Sequence, residues 1–192
     1  MTPKPLIIGF DQTRVDDTGV CVIEYHPTGG GTPLYTDTVK GIKEIHQVIQ
    51  HISIWCANPP IKNEPILDVT LPYPTKQLFP HKRTPAAIAI EDAFFSAKTP
   101  RAAESGWVSR GWIEAFCELY FPGIPIYIFK ASEWRFEVFG SISKLTRDQW
   151  KYHVGTWADA KHPGFFSNNN ETDAYGIACA CGAVAVREGV IT

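Results

Sequence analysis

The stretch Leu6-Ile7-Ile8-Gly9-Phe10-Asp11-Gln12-Thr13, followed by Gly19-Val20-Cys21-Val22-Ile23-Glu24, decides the fold of this chain. An almost unbroken apolar run ends in one aspartate, and a short polar turn leads into a second run rich in β-branched residues. This pattern predicts a buried central strand, a turn and an antiparallel partner strand. Asp11 then points out of the middle of a sheet, where a carboxylate is costly unless it is hydrogen-bonded or binds a cation.

The composition predicts a single domain over residues 1–192 with a substantial core, since 44% of the residues are hydrophobic. The formal net charge of −2 does not indicate a polyanion partner, although it is compatible with a local basic face. No apolar run approaches the ~18 residues of a membrane span, so we expect a soluble cytoplasmic protein without a membrane partner. No CxxC pair occurs, which predicts buried free thiols in a reducing compartment at Cys21, Cys56, Cys117, Cys179 and Cys181.

Hydrophobic periodicity along the rest of the chain predicts a mixed α/β order. Three strands come first and form an antiparallel unit, with a hairpin turn over 29–33, and later strands alternate with helices. This order predicts a mixed five-stranded sheet flanked by helices. Residues 131–146 show a mixed pattern with a turn over 140–144. The predicted strands cover 6–11, 20–25, 35–39, 86–91 and 125–129, and the predicted helices cover 42–55, 101–121, 146–157 and 168–189.

Two segments of this scheme need a separate interpretation. The proline-rich insertion at about 58–85 cannot form a regular helix, and it is either a solvated excursion or a loop that contacts DNA or a second subunit. The predicted helix over 101–121 carries apolar side chains at helical spacing, which we interpret as core rather than a stacking platform. These side chains are Trp107, Val108, Trp112, Ile113, Phe116 and Leu119.

Three acids occur where the ends of sheet strands and helices bring side chains together. Asp11 and Glu91 each end a buried strand, and neighbouring strands lie ~4.8 Å apart. Asp173 lies in the first turn of the last helix, one turn from Asn170 on the same face. Carboxylate and amide oxygens without a Cys/His set favour Mg²⁺, or Mn²⁺ in its place, and two such ions can clamp the attacking and leaving oxygens of a phosphodiester.

Each acid also has a simpler explanation when it is taken alone. Asp11 would open a turn, Glu91 would pair with Lys98 or Arg101, and Asp173 would complement the dipole of its helix. Their joint placement in this strand order favours the metal site.

The same placement resembles the retroviral integrase/RNase H superfamily, and within it the RuvC-type Holliday junction resolvases. The matching motifs are Ile8-Gly9-Phe10-Asp11 with Thr18-Gly19-Val20, then 88–94 (IAIEDAF), then 170–178 (NETDAYGIA), with 131–135 (ASEWR) leading through Gly140 to Lys144. The resemblance implies an RNase H-like fold and a Mg²⁺-dependent endonuclease, with two ions in each active site, that resolves four-way DNA junctions as a homodimer. The near-neutral charge and the insertion suggest a viral (phage) or otherwise divergent member.

The resemblance also implies roles for particular residues. Asp11, Glu91 and Asp173 would be metal-binding catalytic acids, and Asn170 would hold the position where the family usually has aspartate or histidine. Glu171, one residue on, would substitute only from a direction about 100° around the helix.

For DNA, the resemblance places an aromatic at Phe94 to stack on bases at the branch point, although a core phenylalanine explains the residue equally well. Lys98, Arg101, Arg110, Lys144 and Arg147 are candidate phosphate contacts, because backbone charge dominates DNA affinity. Among them Lys144 lies in the turn that matches the basic loop of the family.

Three other readings of the sequence compete with a resolvase. One is another nuclease on the same fold, such as an RNase H or a nuclease for flaps or branched DNA. The second is a non-catalytic protein that binds branched DNA, in which Asn170 marks a degraded active site. An actin-like phosphotransferase is a poorer candidate, because the chain is too short for two such domains.

Overall fold

The computed structural model describes residues 4–14, 17–28, 30–57, 83–92, 100–140 and 144–191. Most of the proline-rich insertion, together with Phe94 and Lys98, lies outside the described residues, as does the side chain of Arg101. The strands are β1 (Leu6–Arg14), β2 (Asp17–Tyr25), β3 (Gly31–Val39), β4 (Pro85–Glu91) and β5 (Ile126–Phe129), and the helices are α1 (Gly41–Ala57), α2 (Pro100–Tyr120), α3 (Ala131–Phe139), α4 (Arg147–Lys161) and α5 (Asn169–Arg187).

The sheet confirms the predicted mixed five-stranded architecture, with strand order β3-β2-β1-β4-β5. β1 pairs antiparallel with β2, and β2 with β3, whereas β4 and β5 continue the sheet in parallel. The predicted turn over 29–33 is wrong in its second half, because β3 already begins at Gly31. Pro33 is accommodated there because β3 is an edge strand, where a missing N–H is tolerated.

α3 was not expected, since residues 131–139 show no apolar stripe. Trp134 is its one buried residue, so the helix depends on a single large side chain and on its start. That start is well formed: the backbone N–H of Lys130 donates to the side chain of Glu133 at 2.9 Å. A pattern with one buried position has no measurable period, and this is why the helix escaped prediction.

The two faces of the sheet pack against different helices. In β1, Leu6, Ile8 and Phe10 belong to the core beneath α1 and α2. The alternating residues face α5, and Ile7 lies in the second core with α3, α4 and α5. Asp11 follows Ile7 and Gly9 on this second face.

The interpretation of the apolar side chains of α2 as core is confirmed for Ile113 but wrong for four of the others. Ile113 and Cys117 are buried against the sheet, but Trp112 is 42% and Leu119 is 67% exposed. Trp107 and Val108 are also exposed. Periodicity marks which residues share a face, but it does not say which of two adjoining apolar faces meets the sheet.

Two predictions from composition concern thiols and membranes. All five cysteines are buried and free, as predicted. Within the described ranges, no helix combines the length and the apolar character that crossing a membrane would require.

Candidate functional site

Strand register brings Asp11 and Glu91 side by side. Phe10 is paired with Ile90 in the parallel ladder between β1 and β4, so Asp11 and Glu91 are the next residues of the two strands. Ala87 and Ala89 of β4 lie in the core beneath α5. Because side chains alternate along a strand, Glu91 lies on this same face, as does Asp11.

Two glycines allow α5 to approach the strands at the level of Asp11. A Cβ atom on Gly9 would overlap the carbonyl oxygen of Ala174, and one on Gly19 would overlap the carbonyl oxygen of Asn170. Gly19 is the cross-strand partner of Asp11. The first turns of α5 therefore lie against the sheet beside Asp11, which is where the helix carries Asp173.

The carboxylates of this cluster are buried with few partners. Asp11 is 0% exposed, and neither of its carboxylate oxygens has a hydrogen-bond partner among the described residues. Asp173 is buried, and its Oδ1 is also unpartnered within those ranges. Glu91 differs, because the indole Nε1 of Trp134 donates to its Oε2 at 2.7 Å. A buried carboxylate without donors is costly, so these oxygens indicate a site for a cation.

Burial shifts the protonation of all three acids upward. It raises the pKa of Asp11 well above its usual range, and the charges of Glu91 and Asp173 raise it further. Burial also raises the pKa of Glu91 to about 7, with a further contribution from Asp173, while the Trp134 hydrogen bond acts in the opposite direction. The pKa of Asp173 is raised to about 6, again by burial. Mutual influence of this kind indicates one electrostatic cluster.

Three cations act on this cluster from α3 and α4. Arg135 and Lys151 lower the pKa values of Asp11 and Asp173, and Arg135 and Arg147 lower that of Glu91. Sequence reasoning singled out Arg147 as a phosphate contact but gave no role to Arg135 or Lys151. Arg147 and Lys151 are four residues apart on a predicted helix, a spacing that places both on one face and was available as a signal.

Glu171 does not replace Asn170 at the site. Its Oε2 accepts a hydrogen bond from the backbone N–H of Ser167 at 2.9 Å, and its Oε1 accepts one from the side chain of Asn168 at 2.9 Å. Asn168 in turn caps α5 by accepting from the backbone N–H groups of Asn170 and Glu171. Glu171 therefore stabilises the start of the helix.

Asn170 packs against Gly19, the cross-strand partner of Asp11. It is partly buried, and its side-chain carboxamide forms no hydrogen bond with the described part of the chain. Its carbonyl side-chain oxygen is a neutral and weaker ligand than a carboxylate.

Of the predicted phosphate contacts whose side chains are described, two are exposed near the start of α4 and one is held in ion pairs. Lys144 is exposed just before α4, and Arg147 is exposed at its first residue. Arg110 is instead held in ion pairs with Asp92 and Glu114, which leaves its guanidinium less available for phosphate.

The acid cluster suits a metal ion by the chemistry of its donor atoms and not by a preformed arrangement of its side chains. Within the described ranges, no group of three or more histidine, cysteine, aspartate and glutamate side chains is arranged to hold a metal ion as it stands. The donor set nevertheless suits a hard divalent cation, because Asp11 and Asp173 present buried carboxylate oxygens that no donor satisfies within the described ranges. Metal binding would require these side chains to draw together around the ion.

With this arrangement established, the fold can be compared with known structures. The sequence matches no protein-family model and no curated protein. The structure of T. thermophilus RuvC in complex with a Holliday junction substrate is similar over 98% of this chain and 98% of that chain, with a TM-score of 0.66 and 14% identity. Another Thermus thermophilus RuvC structure gives 0.61 at 14% identity, over 97% of this chain and 98% of that one. A weaker similarity, 0.48 at 8% identity over 98% and 81% of the two chains, is to the yeast mitochondrial Holliday junction resolvase.

The two RuvC similarities define the class of fold. The chain has the RNase H-like fold, with the first three strands antiparallel and the sheet in the arrangement found in RuvC. Helices flank this sheet on both faces, which confirms the predicted fold class.

Proposed function

We propose that this protein is a Mg²⁺-dependent endonuclease that cuts four-way DNA junctions. The observation that carries the proposal is the cluster of Asp11, Glu91 and Asp173 on one face of an RNase H-like sheet, in which buried oxygens of Asp11 and Asp173 have no hydrogen-bond donor among the described residues. A second support is the similarity in fold to RuvC, whose structure is known with a Holliday junction substrate.

Each residue of the cluster has a distinct part in this proposal. Asp11 and Asp173 hold the ion through their unpartnered oxygens, and Glu91 contributes the oxygen that Trp134 does not occupy. Asn170 is a subordinate ligand. When bound, Mg²⁺ would stabilise the negative charge that develops on the phosphate and make a nucleophile available from water near neutral pH.

The proposed partners are branched DNA and a second copy of the chain. Lys144 and Arg147 lie exposed near the start of α4 and are proposed phosphate contacts, together with Lys98 and Arg101, while Phe94 is the proposed stacking residue. Two coordinated cuts in a two-fold symmetric junction call for a symmetric dimer. Exposed apolar side chains of α2, among them Trp112 and Leu119, support an interface on that helix. The five free cysteines favour a reducing compartment, and the proposed location is the cytoplasm of a bacterial or phage-infected cell.

The test is cleavage of a synthetic four-way junction by the full chain, with and without Mg²⁺. Forks, flaps and RNA–DNA hybrids of the same sequence serve as competing substrates. We expect Mg²⁺-dependent cuts on four-way junctions, with 5′-phosphate and 3′-hydroxyl products. Glu91→Gln should abolish cleavage and leave junction binding near that of the unmodified protein.

Other outcomes reassign the function. Cleavage restricted to RNA–DNA hybrids or flaps would make the protein another nuclease on the same fold. Junction binding without cleavage at any Mg²⁺ or Mn²⁺ concentration would make it a non-catalytic binding protein. Cleavage retained by Glu91→Gln would remove the metal assignment.

A further inference from the structure

The guanidinium of Arg135 is held against two indole rings beside the acid cluster. Its Cζ atom lies 5.1 Å from the ring centroid of Trp134 and 5.3 Å from that of Trp150. Both tryptophans are buried, so neither ring moves freely. Contacts of a cation with two aromatic faces fix its position without using any of its hydrogen-bond donors.

Those donors are not used elsewhere in the described part of the chain. The Nε atom of Arg135 is buried without a hydrogen-bond partner, and the guanidinium forms no ion pair with the described residues. Three other arginines behave differently, because Arg83, Arg110 and Arg187 each donate to a carboxylate. A buried arginine N–H is rarely left without an acceptor, so this one indicates that a bound oxyanion accepts its hydrogen bond.

Trp134 places this cation close to the proposed reaction centre. Its indole Nε1 donates to Glu91, and its ring packs against Gly176, one turn beyond Asp173 in α5. Arg135 therefore lies over a ring that contacts both a carboxylate of the cluster and the helix that carries another. It forms no hydrogen bond with those carboxylates, so its planar fork is open to a ligand that reaches the same place.

We propose that Arg135 is a catalytic residue that donates hydrogen bonds to a non-bridging oxygen of the scissile phosphodiester, with Trp134 and Trp150 fixing its guanidinium. This inference rests on the proposed nuclease function. In the hydrolysis, a water oxygen forms the new bond to phosphorus and the bond from phosphorus to O3′ breaks. One water proton reaches the leaving O3′ and the other is released to solvent. Arg135 transfers no proton and stabilises the charge on the phosphoryl oxygens.

The experiment measures single-turnover cleavage of a four-way junction by the full chain in Mg²⁺, with junction affinity measured in parallel. We expect Arg135→Ala to cleave about 100-fold more slowly, in the range found when one charge-stabilising donor is removed, with little change in junction affinity. Ethylguanidinium added to this variant should raise the rate at least about tenfold by occupying the space left by the Arg135 side chain against the two indoles, whereas ethylammonium should not. Arg187→Ala, the matched control at an exposed ion pair, should cleave as the unmodified protein does.

Folding is controlled with a second variant. Arg135→Lys keeps the charge but not the planar fork, and it should cleave about tenfold more slowly at an unchanged melting temperature. The proposal is overturned if Arg135→Ala and Arg135→Lys both cleave at the unmodified rate, or if ethylguanidinium fails to restore a slow Arg135→Ala variant. It is also overturned if Arg187→Ala is equally slow.

The outcome for Arg135 is separable from that for the nuclease. If the unmodified chain cuts junctions with Mg²⁺ and Glu91→Gln does not, the proposed function stands whatever the Arg135 variants do. If the unmodified chain cuts nothing, the function and the role of Arg135 fail together.

Discussion

The two faces of the sheet are built from the same strands, but one face forms a hydrophobic core and the other carries the acid cluster. On the face beneath α1 and α2, β1 presents Leu6, Ile8 and Phe10, which are large, apolar and essentially inaccessible to solvent. On the α5 face the alternating positions end in Gly9 and Asp11. One strand therefore supplies both a close-packed core and a charged site, with side-chain alternation keeping the two apart.

The energetic consequences of the two faces differ in sign. Each fully buried Leu, Ile or Phe on the α1/α2 face stabilises the fold by ~1.5–3 kcal/mol. On the α5 face, buried carboxylate oxygens that find no donor in the described part of the chain are destabilising until a cation or a proton reaches them. The first face thus supports the second, and substitutions on each should be distinguishable by what they change.

The largest expected difference is between Asp11→Asn and Ile8→Val. If Asp11 contributes ~4 kcal/mol of charge stabilisation through its ion, its loss slows junction cleavage about 1,000-fold. Ile8→Val removes one buried methylene and should cost ~0.5–1.5 kcal/mol of folding stability with the cleavage rate nearly unchanged. Single-turnover kinetics and denaturant unfolding measure the two effects. Equal losses of rate in both variants would show that the faces are not functionally separate.

A smaller loss is expected from Trp134→Phe, which keeps an aromatic ring but removes the donor to Glu91. Groups that orient a metal ligand typically contribute ~10–100-fold to metal affinity or activity, and we expect a loss in that range. The Mg²⁺ concentration for half-maximal rate should rise, because Glu91 is then held less firmly. Trp157→Phe, on the same face but packed against Phe139 and Tyr175, is the control and should leave that concentration unchanged.

The extent of sequence prediction also differs between the faces. Strict apolar runs in β1 and β4 identify both strands and the carboxylates that end them, and the cap at Asn168 identifies α5. Strand order then predicts that Asp11, Glu91 and Asp173 face one another. Their chemical role remains a prediction.

What could not be predicted comes from elements without a clear period. α3 buries only Trp134, so neither the helix nor the contact between Trp134 and Glu91 follows from a pattern. Arg135 has a neighbour in Trp150 of another helix, a relation that spacing along the chain does not encode. The exposed apolar residues of α2 were misassigned for a related reason, because burial depends on what a helix meets.

Acidity should affect the stability of the α5 face in a predictable direction. The pKa of Glu91 rises from an ordinary 4.5 to about 7 on folding, so the folded protein binds more protons than the unfolded chain between those values. The free energy of unfolding of the metal-free protein should therefore fall as pH rises through this window. Glu91→Gln removes this effect and should be ~1–3 kcal/mol more stable than the unmodified protein at about pH 8, but not at about pH 4.

The matched substitution on the other face is Ile90→Val. It should lower the free energy of unfolding, and the size of this decrease should not depend on pH. Thermal or denaturant unfolding in the presence of a chelator measures both variants. Mg²⁺ should stabilise the unmodified protein at about pH 8, because an ion that binds only the folded state raises its stability by mass action. A Glu91→Gln variant that is less stable than the unmodified protein at about pH 8 would contradict the assignment of Glu91 as a carboxylate whose charged form is destabilised by burial.

The smallest expected effect is that of Asn170→Ala, and it tests how far the site extends along α5. Asn170 offers one neutral oxygen; its backbone carbonyl and its Cβ atom, both of which alanine keeps, pack against Gly19, and its backbone N–H donates to the side chain of Asn168. Its truncation should therefore leave the helix in place and reduce cleavage less than Asp173→Asn does. Measured Mg²⁺ dependence separates the two, since only Asp173→Asn removes a charged ligand. If both variants are equally inactive, Asn170 is a full ligand, and the neutral amide takes the place of a carboxylate.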